Sequence, residues 1–317
     1  MRRRILIAGA GQLGSRYLQG MVNYGQALDI WVYDPSIASL ERAKQRWGEV
    51  APIHTQHTVK YVSAIDGLPE SLDLVVVATT ADARARVVAQ LAKQTVVANW
   101  VLEKVLAQSH DELSRIQKAI GSAARAWVNT PMHMWSLYKE LRKQYPGEVP
   151  IKANFKGFRG LTCNAIHYVD FVCRWNNTEV LSTDATELQS SWYPAKREGF
   201  FEIDGVLQFS FTDGSVLRLA SNRENLGYQA HIVIGDDEWQ VFEADGYAQT
   251  ASGKRISGSI EFQSQLTAPM MESIFSKRSC ELPTLAQSVG QHQHYLSALL
   301  GHWNAHMPDQ RSTLPIT

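Results

Sequence analysis

Apolar positions in the first 130 residues fall into short runs separated by longer stretches of helical periodicity. The runs are Arg4 to Ala8, Asp29 to Tyr33, Leu72 to Ala78, Thr95 to Val101 and Ala126 to Val128. Short apolar runs alternating with helical segments predict parallel strands joined by crossover helices. Between the first two runs, Leu13, Tyr17, Leu18, Met21 and Val22 recur on one helical face, as a helix packed on a sheet requires. Ser109 and Glu112 have the spacing of a capping box, with Leu113, Ile116 and Ile120 as the apolar stripe that follows.

Past about residue 150 the period changes to two. Leu207, Phe209 and Phe211 alternate with Gln208 and Ser210, and Asp213-Gly214 turns the chain into Val216 to Leu219. A second hairpin is expected where Ile232 and Ile234 face Trp239 and Val241 across Gly235-Asp236-Asp237. This half should hold a largely antiparallel sheet with one covered face. Near the end, Pro283 precedes a helical stretch from about Thr284 to His302. The division read from these patterns is 1–130 and 131–317.

Composition narrows the function. The chain has 317 residues, 44% hydrophobic, with 31 basic and 31 acidic side chains, so it offers no electrostatic footprint for nucleic acid or an anionic membrane. Cys163, Cys173 and Cys280 are too scattered for a disulfide framework or a zinc site and read as buried thiols in a reducing, cytoplasmic setting. Arg2-Arg3-Arg4 before Ile5-Leu6-Ile7-Ala8 imitates a signal peptide, but the apolar run breaks at Gly9 and is expected to be the first strand.

Gly9-Ala10-Gly11-Gln12-Leu13-Gly14 is a GxGxxG sequence directly after a strand and opening a helix. Gly9 suits the tight turn, Gly11 the approach of a diphosphate to the backbone, and Gly14 close packing of helix on strand. Asp34 ends the second apolar run, where an acid accepts hydrogen bonds from adenosine ribose hydroxyls. The order strand, loop, helix, acid predicts a Rossmann dinucleotide site, with NAD favoured over NADP because the carboxylate repels a 2′-phosphate. The expected fold class is α/β: a doubly wound parallel sheet, then an α/β domain with an open, mainly antiparallel sheet.

These residues, together with Val75-Val76-Val77-Ala78-Thr79-Thr80, Glu103-Lys104 and Cys163-Asn164-Ala165-Ile166-His167-Tyr168-Val169-Asp170, resemble the Gfo/Idh/MocA family of NAD(P)-dependent oxidoreductases over nearly the whole chain. The resemblance implies cofactor contacts at Gly9, Gly11, Gln12, Leu13, Gly14, Asp34, Thr79, Thr80, Glu103 and Lys104. It implies that Lys104 polarises the reacting oxygen and that His167 exchanges its proton. Two departures stand out. The family's Glu-Lys-Pro motif is Glu103-Lys104-Val105 here, and the Asp that stands four residues before the family's histidine is Cys163. Asn164 and Asp170 are then candidates to meet substrate or orient the ring.

Arg84 stands where the family often has histidine, and with Arg86 it reads either as an anion contact or as the solvated face of a helix. Lys196 and Arg197 are candidate substrate contacts, while Trp192 and Tyr193 either stack on a ligand ring or cover a sheet. Asn129 to Trp135 is a candidate cleft lining. His302 and His306 have the spacing of two ligands on one helix face, but no glutamate follows His302 and a metal site is not expected. The resemblance implies hydride transfer to or from a hydroxyl or keto carbon of a sugar or nucleotide-sugar derivative, with a pull toward the surface-polysaccharide and acidic-sugar branch. Open alternatives are a catalytically idle NAD-binding sensor or assembly protein and a reductase of non-sugar substrates. A homodimer or homotetramer through an apolar face of the second sheet is also expected.

Overall fold

The computed structural model describes residues 2–51, 55–223 and 227–317. It contains two compact units: Met1–Leu106 with Asp111–Asn129 and Glu261–Leu285, and Ala107–His110 with Thr130–Ile260 and Ala286–Thr317. The break near residue 130 is where the strand pattern changes. The segment Glu261–Leu285, which the sequence division put with the second half, packs instead with the first.

In the first unit, strands β1 (Arg3–Ala8), β2 (Leu28–Tyr33), β3 (Thr58–Val62), β4 (Leu74–Val77), β5 (Asn99–Leu102) and β6 (Arg125–Val128) form one sheet in the order β3-β2-β1-β4-β5-β6. Every pairing is parallel. Strand order reverses between β1 and β4, the switch point at which open α/β sheets bind ligands beyond the strands' carboxyl ends. Ile5, Leu6, Ile7 and Ala8 are fully buried, so the apolar run near the start is a central strand.

Helices α1 (Gln12–Met21), α2 (Ile37–Val50), α3 (Ala81–Gln94) and α4 (His110–Ile120) connect or follow these strands. The expected stripe is buried at Tyr17, Leu18 and Met21 of α1, and at Leu113, Ile116 and Ile120 of α4. β3, absent from the sequence reading, is an edge strand whose Thr-Val-Lys-Tyr-Val pattern has no fully buried residue.

The second unit contains α5 (Ser136–Lys143), strand β7 (Ile151–Phe158), α6 (Leu161–Asn176) and strands β8 (Val180–Asp184), β9 (Gly205–Phe211), β10 (Val216–Ser221), β11 (Gln229–Ile234), β12 (Asp237–Phe242), β13 (Tyr247–Thr250) and β14 (Arg255–Ser257). The sheet order is β8-β9-β10-β7-β11-β12-β13-β14, with β10 and β7 parallel and the other pairs antiparallel. Both expected hairpins are present, and in the second Ile234 pairs with Asp237 across Gly235-Asp236. The chain then returns to the first unit as α7 (Gln263–Glu272), and α8 (Leu285–His306) follows. No described helix is long and apolar enough to cross a membrane.

Period-two alternation sets the faces of this sheet. Ala153, Phe155, Leu207, Phe209, Leu217, Leu219, Ile232 and Trp239 point into the core, and Phe155 packs against Tyr168 and Phe171 of α6. The intervening positions carry Lys152, Asn154, Lys156, Gln208, Ser210, Arg218, His231, Glu238 and Gln240, with Val206, Val216, Ala220 and Val233 as the smaller apolar share. The outward face is therefore largely polar, which corrects the expectation of a large apolar one. The three cysteines are free thiols, but only Cys173 is fully buried.

Candidate functional site

Carboxyl ends of β1, β2, β4 and β5 carry the glycine loop, Asp34, Thr79-Thr80 and Glu103-Lys104 respectively. Gly9 has φ +104°, a region that favours glycine, and a Cβ there would lie 2.8 Å from the Ala78 carbonyl carbon. Its N–H donates to Tyr33 O at 2.7 Å, so the loop is held against the ends of both β2 and β4. At Gly14 a Cβ would come within 1.8 Å of Gly9 O, so only glycine lets α1 start so close to the loop.

Gly11 is different. The space its Cβ would take is open to 4 Å. It is the N-cap of α1, no side chain caps the helix start, and the first turn carries no acid. Free first-turn N–H groups, the positive dipole end and an open approach suit a diphosphate. The residues present therefore fit a dinucleotide.

Asp34 Oδ2 accepts from Ala10 N at 2.8 Å and Oδ1 from Ser36 N at 2.9 Å. The carboxylate thus shapes the glycine loop and keeps lone pairs for ribose hydroxyls. Gln12 turns its side-chain oxygen to Arg46 Nη2 at 2.6 Å, leaving its backbone N–H as its offering to a ligand. Leu13 is half-buried on α1. Thr79 and Thr80 are half-buried, and the Thr79 hydroxyl has no hydrogen-bond partner among the described residues.

Glu103, expected as a cofactor contact, is only 3% exposed. Its Oε1 accepts from Tyr17 Oη at 2.7 Å and from Asn129 Nδ2 at 2.6 Å, and its Oε2 from Lys104 N at 3.3 Å. Both oxygens accept hydrogen bonds within the protein, so the side chain braces this strand end. Burial pushes its carboxyl above the ordinary range despite these donors, and burial together with the facing carboxylate pushes the Tyr17 phenol well up. Lys104 follows Glu103, is half-buried, and forms a cis peptide with Val105.

Arg84 is neither a solvated charge nor an accessible anion contact. Its side chain is 1% exposed, and its guanidinium donates to the Val105 and Thr79 carbonyls. Burial lowers its pKa to about 10. Arg86 is exposed, so the two arginines have different roles.

In the second unit, Cys163, Asn164 and His167 lie on α6 and are half-buried. Asn164 Nδ2 donates to Arg159 O at 3.1 Å. Asp170, expected to meet substrate or orient His167, has no exposed surface. It accepts from Thr130 Oγ1 at 2.8 Å and Gln291 Nε2 at 2.9 Å, with His133 Nδ1 3.5 Å away. It is an anchor between α6, α8 and the Pro131–Met134 turn.

Sequence reasoning missed Glu202. This buried acid accepts from Thr162 N at 2.8 Å at the start of α6, and burial raises its pKa against those hydrogen bonds. A carboxylate therefore does stand beside Cys163, supplied from the short pair Tyr193–Pro194 and Phe201–Glu202 rather than from the helix. No local spacing announced it, because residues 163 and 202 meet only through the fold.

Lys196 and Arg197 are exposed at the tip of that pair. Trp192 packs on Trp303 at 4.9 Å, which is a covering role, and Tyr193 donates to Asp204 at 2.9 Å. His302 and His306 stack at 4.1 Å, and among the described residues no group of His, Cys, Asp or Glu is arranged to hold a metal.

No protein family and no curated protein matches the chain by sequence. Solved structures do match it. A Desulfitobacterium hafniense oxidoreductase described as NADPH-dependent is 14% identical with a TM-score of 0.72, over 97% of this chain and 96% of its own. An Agrobacterium radiobacter oxidoreductase in complex with NAD+, L-tartaric acid and magnesium is 13% identical, TM-score 0.71, over 96% and 97%. The UDP-N-acetylglucosamine 3-dehydrogenase of Acidithiobacillus ferrooxidans is 15% identical, TM-score 0.68, over 94% and 96%. The chain shares the two-part fold of these oxidoreductases.

Proposed function

We propose that the chain is an NAD-dependent oxidoreductase of the Gfo/Idh/MocA type, moving hydride to or from a hydroxyl or keto carbon of a sugar or sugar derivative. The observation that carries this reading is the set of features at the carboxyl edge of the parallel sheet. An open Gly11 approach, the α1 N-terminus, Asp34 and Lys104 stand at neighbouring strand ends on both sides of the switch point. The fold shared with an NAD+-bound oxidoreductase and a nucleotide-sugar dehydrogenase supports it.

The glycine loop would hold the diphosphate, and Asp34 the adenosine ribose. A 2′-phosphate beside Asp34 would meet like charge, which favours NAD over NADP. When bound, the nicotinamide supplies the hydride chemistry. Lys104 polarises the substrate oxygen, because an ammonium stabilises negative charge developing there. His167 exchanges the proton of that oxygen, and Asn164 hydrogen-bonds a neighbouring hydroxyl. Lys196 and Arg197 are exposed cations available to an acidic substrate. Assembly into two or four copies belongs to the same reading.

The test is a survey of sugars and nucleotide sugars, with NAD, for absorbance of the reduced nicotinamide. Lys104→Ala and His167→Ala should each lower kcat by about 100-fold or more while NADH affinity stays within about threefold. Unchanged turnover in either variant removes that residue's role. NADH binding without turnover of any sugar favours the idle binder.

A further inference from the structure

Arg84 is a buried cation that the mechanism above does not use. Leaving a guanidinium in the interior costs several kcal/mol unless its donors are met. Two of its nitrogens are met by backbone, one by the Val105 carbonyl and one by the Thr79 carbonyl. Glu103 is the charged group that most favours its protonation from outside its own helix, and Nε has no partner among the described residues.

The two acceptors lie in different loops. Val105 follows Lys104 at the end of β5, and Thr79 follows β4. Glu103 Oε2 takes the Lys104 N–H while Arg84 takes the Val105 carbonyl, so Lys104 is gripped on both sides by buried ionic groups. The Thr79 loop in turn is the surface against which Gly9 lies without room for a Cβ, with Thr79 N 3.0 Å from that position. One side chain thus ties the lysine-bearing loop to the loop that backs the glycine turn.

We propose that Arg84 is a positioning residue that fixes Lys104 relative to the nucleotide-binding loop. Its planar fork reaches two carbonyls at once, which the single ammonium of a lysine cannot do in the same geometry. The inference rests on the catalytic reading for its kinetic consequence, but its structural claim stands independently.

The experiment compares wild type, Arg84→Lys and Arg84→Met as full-length proteins. Backbone hydrogen exchange of the segment 102–106 is followed with and without NADH, and kcat and KM are measured on any substrate found. Arg84→Met should exchange that segment at least about tenfold faster than wild type. Its kcat should fall by roughly 100-fold, as expected for a misplaced group, while KM for NADH moves less than about threefold. Arg84→Lys should be intermediate in both. Unchanged exchange at 102–106 in a folded Arg84→Met overturns the proposal, as does exchange accelerated equally throughout the parallel sheet. If wild type binds NADH but turns over nothing, the catalytic reading fails while the exchange comparison still decides the role of Arg84. If Arg84→Met does not fold, exchange and kcat in Arg84→Lys decide, and wild-type values in both sink the claim.

Discussion

Gly11 and Gly14 lie three residues apart in one loop, yet their substitution should have opposite consequences. In Gly14→Ala the new Cβ would stand 1.8 Å from Gly9 O and 2.9 Å from Gly9 C, far inside the 3.4 Å where ordinary contact begins. Neither neighbour is a flexible side-chain end, so α1 must move off the sheet. The cost should reach about 3 kcal/mol, the upper part of the range for overpacking, which for a unit of this size lowers Tm by roughly 6–12 °C. In Gly11→Val the Cβ meets nothing within 4 Å, and φ −67°, ψ −164° is extended backbone that suits valine. Stability should fall by about 1 kcal/mol or less, because valine is a poorer N-cap than glycine. NADH affinity should fall by at least about tenfold, or 1.4 kcal/mol, because the branch occupies the approach of the diphosphate. Urea unfolding and calorimetric titration of both variants give the four numbers. A Gly11→Val protein that binds NADH as wild type does would refute the assignment of this loop, and a fully stable Gly14→Ala would refute the packing argument.

Three further outcomes follow from the buried network and from Asp34. Burial raises Glu103 above its ordinary 4.5, so its contribution to stability is full below that value and is lost as pH rises through the raised one. Glu103→Gln removes this dependence, and its urea midpoint should decline less than that of wild type between about pH 5 and about pH 8; parallel declines contradict the burial argument. Tyr17→Phe takes one donor from Glu103 Oε1 and should cost about 1–3 kcal/mol at neutral pH, read by the same unfolding curves, with no measurable cost counting against the network. Asp34→Asn removes the negative charge, and the preference for NADH over NADPH in direct titration should shrink by about tenfold; an unchanged ratio means the carboxylate does not face the ribose.

Features announced by local sequence survived into the structure. The glycine loop, the stripe of α1, the apolar run of α4 and both hairpins depend on residues close in the chain, where periodicity and turn chemistry act. β3 escaped because an edge strand half in solvent needs no apolar pattern. The return of Glu261–Leu285 to the first unit was invisible because nothing in its composition records which sheet it covers. Asp170 and Glu103 look like site residues by type and spacing, but whether a carboxylate faces a ligand or a buried donor depends on distant partners such as Gln291 and Tyr17. Glu202 is the converse, an acid brought to the start of α6 from forty residues away. Arg84 shows how a charge that reads as solvated becomes interior once two backbone carbonyls converge on it.

On the proposed reading, the first unit binds a nicotinamide dinucleotide through the loop at Gly11. Isothermal titration of the purified chain with NADH and with NADPH tests it most directly. Saturable heat with NADH, weaker with NADPH and lost in Gly11→Val, is the predicted result. No heat with either coenzyme, or equal heat in wild type and Gly11→Val, would contradict it.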